Sequence, residues 1–276
     1  MNRTLPAAAC TMLAFAANSI LCRMALRQTA IDPASFTSIR LISGAVVLWL
    51  LVVLRQRRPP AGGNWLSALA LLAYAAAFSY AYVGVTAGTG ALLLFGAVQL
   101  IMIASGLISG ERIVRRIAVG WVLAVAGVVF LVFPGVSAPP LLDASLMLAA
   151  GIAWGIYSLR GQRSKNPLDD TAGNFVRAVP GVLVLSLLLW RHAVFDTEGA
   201  ALAAISGAIT SGLGYAIWYS VLPRLSAIAA ANAQLSVPVI ASLGGVVLFG
   251  ESVTLRLAVA TFLVLGGIAL ARHDKA

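Results

Sequence analysis

Along the chain, apolar residues come in runs long enough to cross a bilayer, separated by short stretches of charge, proline and glycine. A spanning helix needs about 20 mostly apolar residues. Ten such runs stand out: 6–26, 35–54, 65–84, 89–109, 117–134, 141–159, 172–190, 199–221, 226–249 and 257–271. The connections between them average about seven residues, which leaves no room for a soluble domain. The first run, with Arg3 ahead of it, has the outline of a secretory signal. Its length and the nine spans after it instead predict a retained helix.

Composition sharpens this picture. Of 276 residues, 61% are apolar without counting the 26 glycines, and only 10% are charged. Soluble domains run about 45–50% apolar with glycine included and about 25% charged. A water-soluble fold could not hide that much apolar surface, which excludes a soluble enzyme or an extracellular module. The formal net charge of +10 would raise the question of nucleic acid in a soluble protein. Here the basic residues fill the gaps between spans, so the expected partner is the lipid bilayer and not nucleic acid. With the N-terminus in the cytoplasm, 13 Lys and Arg fall on that side, among them Arg55, Arg57, Arg58, Arg112, Arg115, Arg116, Arg160 and Arg163. Four fall outside: Arg23, Arg27, Arg191 and Arg256. This is the positive-inside bias of an integral membrane protein, and an even number of spans puts both termini in the cytoplasm. Cys10 and Cys22 lie in one helical run, about 18 Å apart, too far to pair.

Compared with itself, the chain repeats. Met12-Leu13-Ala14 matches Met147-Leu148-Ala149, Gly110-Glu111 matches Gly250-Glu251, Arg116 matches Arg256, and Gly127 matches Gly267. Residues 1–135 and 136–276 therefore read as two copies of five helices within one integral membrane unit. Because five is odd, the second copy enters from the opposite side. Inverted repeats of this kind place a substrate site near the midplane, where the halves meet.

On these residues the chain resembles the drug/metabolite transporter superfamily, EamA type. Gly-Glu closes the fourth helix of each half, Pro238 stands ahead of Glu251, and Gly266-Gly267 follow in the last helix. Val98 occupies the place of the corresponding proline in the first half. The stretch from Gly88 through Gly96 to Gln99 is similar to that of amino-acid exporters of the YddG type. The resemblance implies an all-α membrane protein, ten helices around a central cavity, exporting small metabolites by alternating access. Amino acids, aromatic ones included, are the implied cargo.

Polar and aromatic residues within the spans are the candidate lining. Tyr74, Phe78 and Tyr82 recur every four residues and share a helix face. Phe95 and Gln99 follow the same spacing, Trp154 and Tyr157 lie three apart, and Tyr215 and Trp218 do likewise. Asn18, Asn232 and Gln234 add amides that both donate and accept. Tyrosine and tryptophan can hold an apolar side chain while their polar atoms orient it. Pro238 and Pro180 interrupt helical hydrogen bonding and are hinge candidates. Glu111 and Glu251, with Arg115, Arg116 and Arg256 nearby, read as end caps or gating pairs. Arg23 and Arg40 could greet a substrate carboxylate; the favoured reading is that both snorkel to the interface.

Some multidrug relatives carry a glutamate in the first helix, where this chain has Asn18 and Ser19. With no carboxylate in midspan, transport is expected to be facilitative. The alternative is a proton-coupled multidrug or organic-cation exporter, since aromatic cages also bind cations. No catalytic cluster, metal site, cofactor or nucleotide motif is expected, and one chain is the expected transport unit.

Overall fold

A computed structural model describes residues 4–108, 115–222 and 233–270. It is helical throughout, with no strand among the described residues. The helices are α1 (Thr4–Gln28), α2 (Pro33–Gln56), α3 (Trp65–Ala81), α4 (Ala87–Ile108), α5 (Arg115–Val132), α6 (Leu141–Gly161), α7 (Pro167–Leu188), α8 (Thr197–Val221), α9 (Ser236–Phe249) and α10 (Leu255–Leu270). Seven of these are long and apolar enough to cross a membrane; α3, α9 and α10 are shorter apolar helices. Leucine, valine and aromatic side chains such as Leu54, Leu69, Val122, Leu187, Val247 and Phe262 stand exposed on the outside. An exterior of that kind suits lipid, not water.

Helix ends follow local chemistry. Asp32 caps α2 by accepting the N–H groups of Ala34 and Ser35, with Pro33 in the first turn. Asn64 caps α3 through Ser67, and Asp196 caps α8 through Gly199. α9 ends at Gly250, which adopts a left-handed conformation (φ 64°) that glycine takes without strain. α7 begins five residues before the apolar run at 172 because Pro167, Asp169 and Asp170 form a favourable first turn. Of the run 226–249, the described part begins at Ala233: Ala233 and Gln234 are helical, Leu235 is a turn three residues before Pro238, and α9 continues from Ser236. Pro180 sits inside α7, which continues through it.

The helices alternate in direction. At one end, Arg23 near the end of α1 meets the carbonyls of Tyr82 and Val83 after α3, and Glu251 after α9. At this same end Asp143, opening α6, lies against Gly84, Asp32 accepts the N–H of Val194, and Arg256, opening α10, reaches the carbonyl of Phe133 after α5. At the opposite end the 57–64 loop meets the start of α7. Neighbour relations also come in matched pairs: α3 packs on α6 as α1 does on α8, α4 on α6 as α9 on α1, and α2 on α8 as α7 on α3. The α2–α7, α4–α9 and α5–α10 contacts map onto themselves. These contacts keep their pattern when each helix is exchanged for its counterpart five places away; the contacts of α4 with α1, α5 and α10 do not share it.

Small residues let these helices approach closely. A Cβ on Gly267 would strike the Gly120 carbonyl and the Ala124 nitrogen, and Gly127 faces Val264 across the same α5–α10 contact. Gly151 and Gly155 seat α6 on α4, and Gly207 of α8 lies against the backbone of Arg40. These glycines serve contacts inside the molecule.

Candidate functional site

Between the two sets of five helices, aromatic side chains meet at mid-depth. Phe15 of α1 touches Trp154 of α6 and Tyr215 and Trp218 of α8 edge-on, with ring centroids 5.8–5.9 Å apart. Trp154 lies 5.0 Å from Tyr74 and 4.9 Å from Tyr215, and stacks on Tyr157 at 5.5 Å. Phe175 of α7 closes on Tyr215 at 5.6 Å. Phe15, Asn18, Ser19, Tyr74, Phe78, Leu94, Phe95, Trp154 and Tyr215 surround a cavity of about 10 Å³, room for about one water molecule. In this structure the cavity is therefore too small for a solute larger than water.

A polar network runs along one wall. Asn18 Oδ1 accepts from Ser206 Oγ at 2.8 Å and from Thr210 Oγ1 at 3.1 Å, while its Nδ2 donates to the Tyr74 hydroxyl at 3.4 Å. Ser206 to Leu213 of α8 form a π-helical segment. Its wider winding, a device that recurs at functional sites, carries Ser206, Thr210 and Ser211, which bond to Asn18 and Arg40. Arg40 completes the network. Its Nη2 donates to the Tyr74 hydroxyl at 3.0 Å and its Nε to Ser211 Oγ at 3.2 Å. The guanidinium also lies 5.3 Å from the Tyr74 ring centre and 4.9 Å from that of Phe78.

Arg40 is the main correction to the sequence reading. It does not snorkel: it is 1% exposed. α2 starts at Pro33, so Arg40 lies about 10 Å into the helix, deep enough for α3 and α8 to cover it. Arg23 is also held within the protein. Its Nε pairs with Glu251 Oε1 at 3.0 Å and its Nη1 donates to the Tyr82 carbonyl at 2.9 Å. Glu251 further accepts the Ala87 N–H at 2.9 Å. The partner of Glu251 is thus Arg23, not Arg256, whose guanidinium serves the carbonyls of Leu131 and Phe133. The opposite end is tied as well. Asp169 accepts from Arg58 at 3.2 Å, Asp170 from the Gly63 N–H at 2.8 Å, and Asn174 from the Asn64 N–H at 2.8 Å.

Of the other candidates, Tyr82 is fully buried but sits above the cavity, against Phe78 and the start of α4. Tyr157 lies behind Trp154, against Tyr219 at 6.1 Å. Trp218 backs Phe15, and Gln99 and Gln234 are buried within the bundle. Tyr74 and Tyr82 are both buried within the protein. Asn232 and Glu111 fall outside the described residues. Phe15, Phe175 and the serines and threonine of α8 belong to the site without having been singled out from the sequence. The run Ser206-Gly207-Ala208-Ile209-Thr210-Ser211-Gly212 was the available signal, since three hydroxyls in one apolar span need partners. Cys10 and Cys22 are both free thiols. No cluster of His, Cys, Asp or Glu fit for a metal occurs among the described residues.

The chain is similar to known proteins along its whole length. An uncharacterized protein of Pseudomonas aeruginosa, PA1977, is 55% identical over 270 residues, covering 98% of this chain and 94% of that one. The threonine/homoserine exporter RhtA of Escherichia coli is 34% identical over 142 residues, which is 48% of this chain and 46% of RhtA. A solved crystal structure covers 96% of the chain with a TM-score of 0.69 at 19% identity, a likeness of fold. The model of the EamA-like transporter family matches twice, at residues 3–133 and 142–272. With two matches that fill the two sets of five helices, this chain belongs to the EamA-like transporter family, and is a membrane transporter, not an enzyme.

Proposed function

We propose that the chain exports small metabolites, amino acids with aromatic side chains among them, across a bacterial inner membrane by alternating access. The observation that carries this reading is the closed aromatic and amide site between the halves, built by Phe15, Asn18, Tyr74, Phe78, Trp154 and Tyr215. Aromatic faces suit an apolar side chain, and amide and hydroxyl groups suit the polar ends of an amino acid. A threonine/homoserine exporter among the relatives supports that cargo.

The ten helices are taken as ten spans in two inverted repeats, 1–135 and 136–276, with both termini cytoplasmic and one chain as the working unit. The alternating helix directions and matched neighbour pairs support the inversion. Arg23 and Glu251 form the outer latch; the ties of the 57–64 loop to α7 form the inner one. Each must release in turn, with Pro238 and Pro180 as the bending points. Every acidic residue in the described chain stands in a loop or at a helix end, which supports transport without a proton relay in midspan.

Efflux from proteoliposomes loaded with labelled tryptophan, phenylalanine or threonine tests this, run with and without a pH gradient and beside a labelled organic dication. Amino-acid efflux indifferent to the gradient is expected. Dication efflux alone, or strict dependence on the gradient, would replace this reading with a proton-coupled cation exporter.

A further inference from the structure

A guanidinium buried in a membrane protein is costly unless charge and hydrogen bonds compensate it. Arg40 is 1% exposed, and among the described residues no carboxylate lies within ion-pairing distance of it. Its fixed partners are neutral: the Tyr74 hydroxyl, Ser211 Oγ and the two ring faces. Nη1 is buried with no hydrogen-bond partner at all. Two of the three guanidinium nitrogens are thus engaged, and the third, with its two donors, is held in reserve. Both ring partners, Tyr74 and Phe78, are themselves walls of the cavity, and Asn18 shares the Tyr74 hydroxyl with Arg40.

We propose that Arg40 binds the carboxylate of the transported solute, so that this site takes carboxylate-bearing solutes and rejects organic cations. This rests on the metabolite-export reading above and names its chemical class. Arginine offers paired N–H donors in a plane that fits the two oxygens of a carboxylate. When the cavity widens, Nη1 and the second proton of Nη2 supply that fork. Trp154, Phe15 and Tyr215 then face the remainder of the solute, where aromatic faces accept an ammonium group or an apolar side chain. A cationic solute without a carboxylate would enter a cavity whose buried fixed charge repels it, with little water to screen the pair.

The test uses the full-length protein in proteoliposomes. Efflux of labelled tryptophan and of labelled threonine is measured against excess unlabelled acid or the matching amide, tryptophanamide or threoninamide, which keeps everything except the carboxylate charge. Competition by the amide is expected to need at least about a hundredfold higher concentration than by the acid, because a site built around a polar group rejects analogues lacking its counterpart. Arg40→Gln should remove the preference for acid over amide, and Arg40→Lys should keep part of it, a ratio that a purely structural role would leave unchanged. The wild-type competition needs no variant, so misfolding of Arg40→Gln does not blunt the test. Efflux of either amino acid with the amide competing within twofold of the acid overturns the anchor alone. Dication efflux with no amino-acid efflux overturns both the anchor and the export reading.

Discussion

Glu251 is the most informative single position for the gating scheme, because one carboxylate joins three elements there. Its Oε1 takes Arg23 Nε at 3.0 Å and its Oε2 takes the Ala87 N–H at 2.9 Å. Both side chains of the ion pair are only 12% exposed, so solvent screens the pair weakly. Glu251→Gln keeps an oxygen for Ala87 and removes the charge that holds Arg23. Hydrogen bonds to charged groups contribute about 1.5–3 kcal/mol, and about 1.4 kcal/mol is a factor of ten in an equilibrium. The substitution should therefore raise the population open at that end about 10- to 100-fold. The chain carries its own reporter: Cys22, the neighbour of Arg23, is fully buried, while Cys10 is exposed. In a Cys10→Ser background, a membrane-impermeant maleimide added from the periplasmic side should label Cys22 at least about tenfold faster in Glu251→Gln than in its parent. Labelling within twofold of the parent, in protein that remains monodisperse, would refute the claim that this pair holds the outer end shut. Acceleration from the cytoplasmic side instead would reverse the orientation.

Two further expectations concern packing and pH. Gly267→Ala should lower the melting temperature in detergent, by about 1–3 kcal/mol of overpacking, since its Cβ would meet the backbone of Gly120 and Ala124. Gly266→Ala, with open space around it, should leave the melting temperature unchanged or raise it slightly; equal effects at both positions would refute the α5–α10 contact. At Asp32, in the loop ahead of α2, burial alone would push the carboxyl up. Hydrogen bonds from Ser35, Val194 and Ala34 outweigh it and hold the group below its ordinary value. Its contribution to stability is thus present above the unfolded carboxylate value near pH 3.9 and lost as pH falls through the lower folded value. The melting-temperature gap between wild type and Asp32→Asn should narrow as pH falls through 4 towards 2, and a constant gap would refute the assignment.

The helices were legible because their apolar runs are bounded by chemistry that stops a helix, as at Asp32–Pro33 and Gly250. The four-residue spacing of Tyr74 and Phe78 placed them correctly on one face, and the matched Gly127 and Gly267 do sit in one shared contact. What the sequence hid depends on depth and on distant partners. A lone arginine early in an apolar run reads first as an interfacial anchor, and only the cover from α3 and α8 makes Arg40 a buried charge. The Arg23–Glu251 pair spans 228 positions, beyond the reach of any local pattern. Likewise the π-helical segment at 206–213 forms where Gly207 meets the Arg40 backbone, a tertiary contact with no periodic signature. Phe15 is a single aromatic residue among alanines and leucines, so no spacing marks it.

Under the proposed facilitative reading, the neutral company of Arg40 bears on how the carrier works without a driving ion. A facilitative exporter must return empty, and the empty closed state must then tolerate the binding charge unaided. A carboxylate beside Arg40 would stabilise that state strongly, but it would compete with the carboxylate of the solute and hold the site against loading. Bare burial would do the reverse and make closure around an empty site too unfavourable to populate. The Tyr74 hydroxyl, Ser211 Oγ and two ring faces lie between these limits, each contributing about 0.5–3 kcal/mol. They stabilise the guanidinium enough for the closed geometry seen here, with a cavity of about 10 Å³, and leave Nη1 for a stronger, charged partner. On this argument an acidic residue placed next to Arg40, for example by Ser211→Asp, should slow amino-acid efflux while making the empty protein more stable to heat. Faster efflux in that variant would show that Arg40 serves the fold and not the cargo.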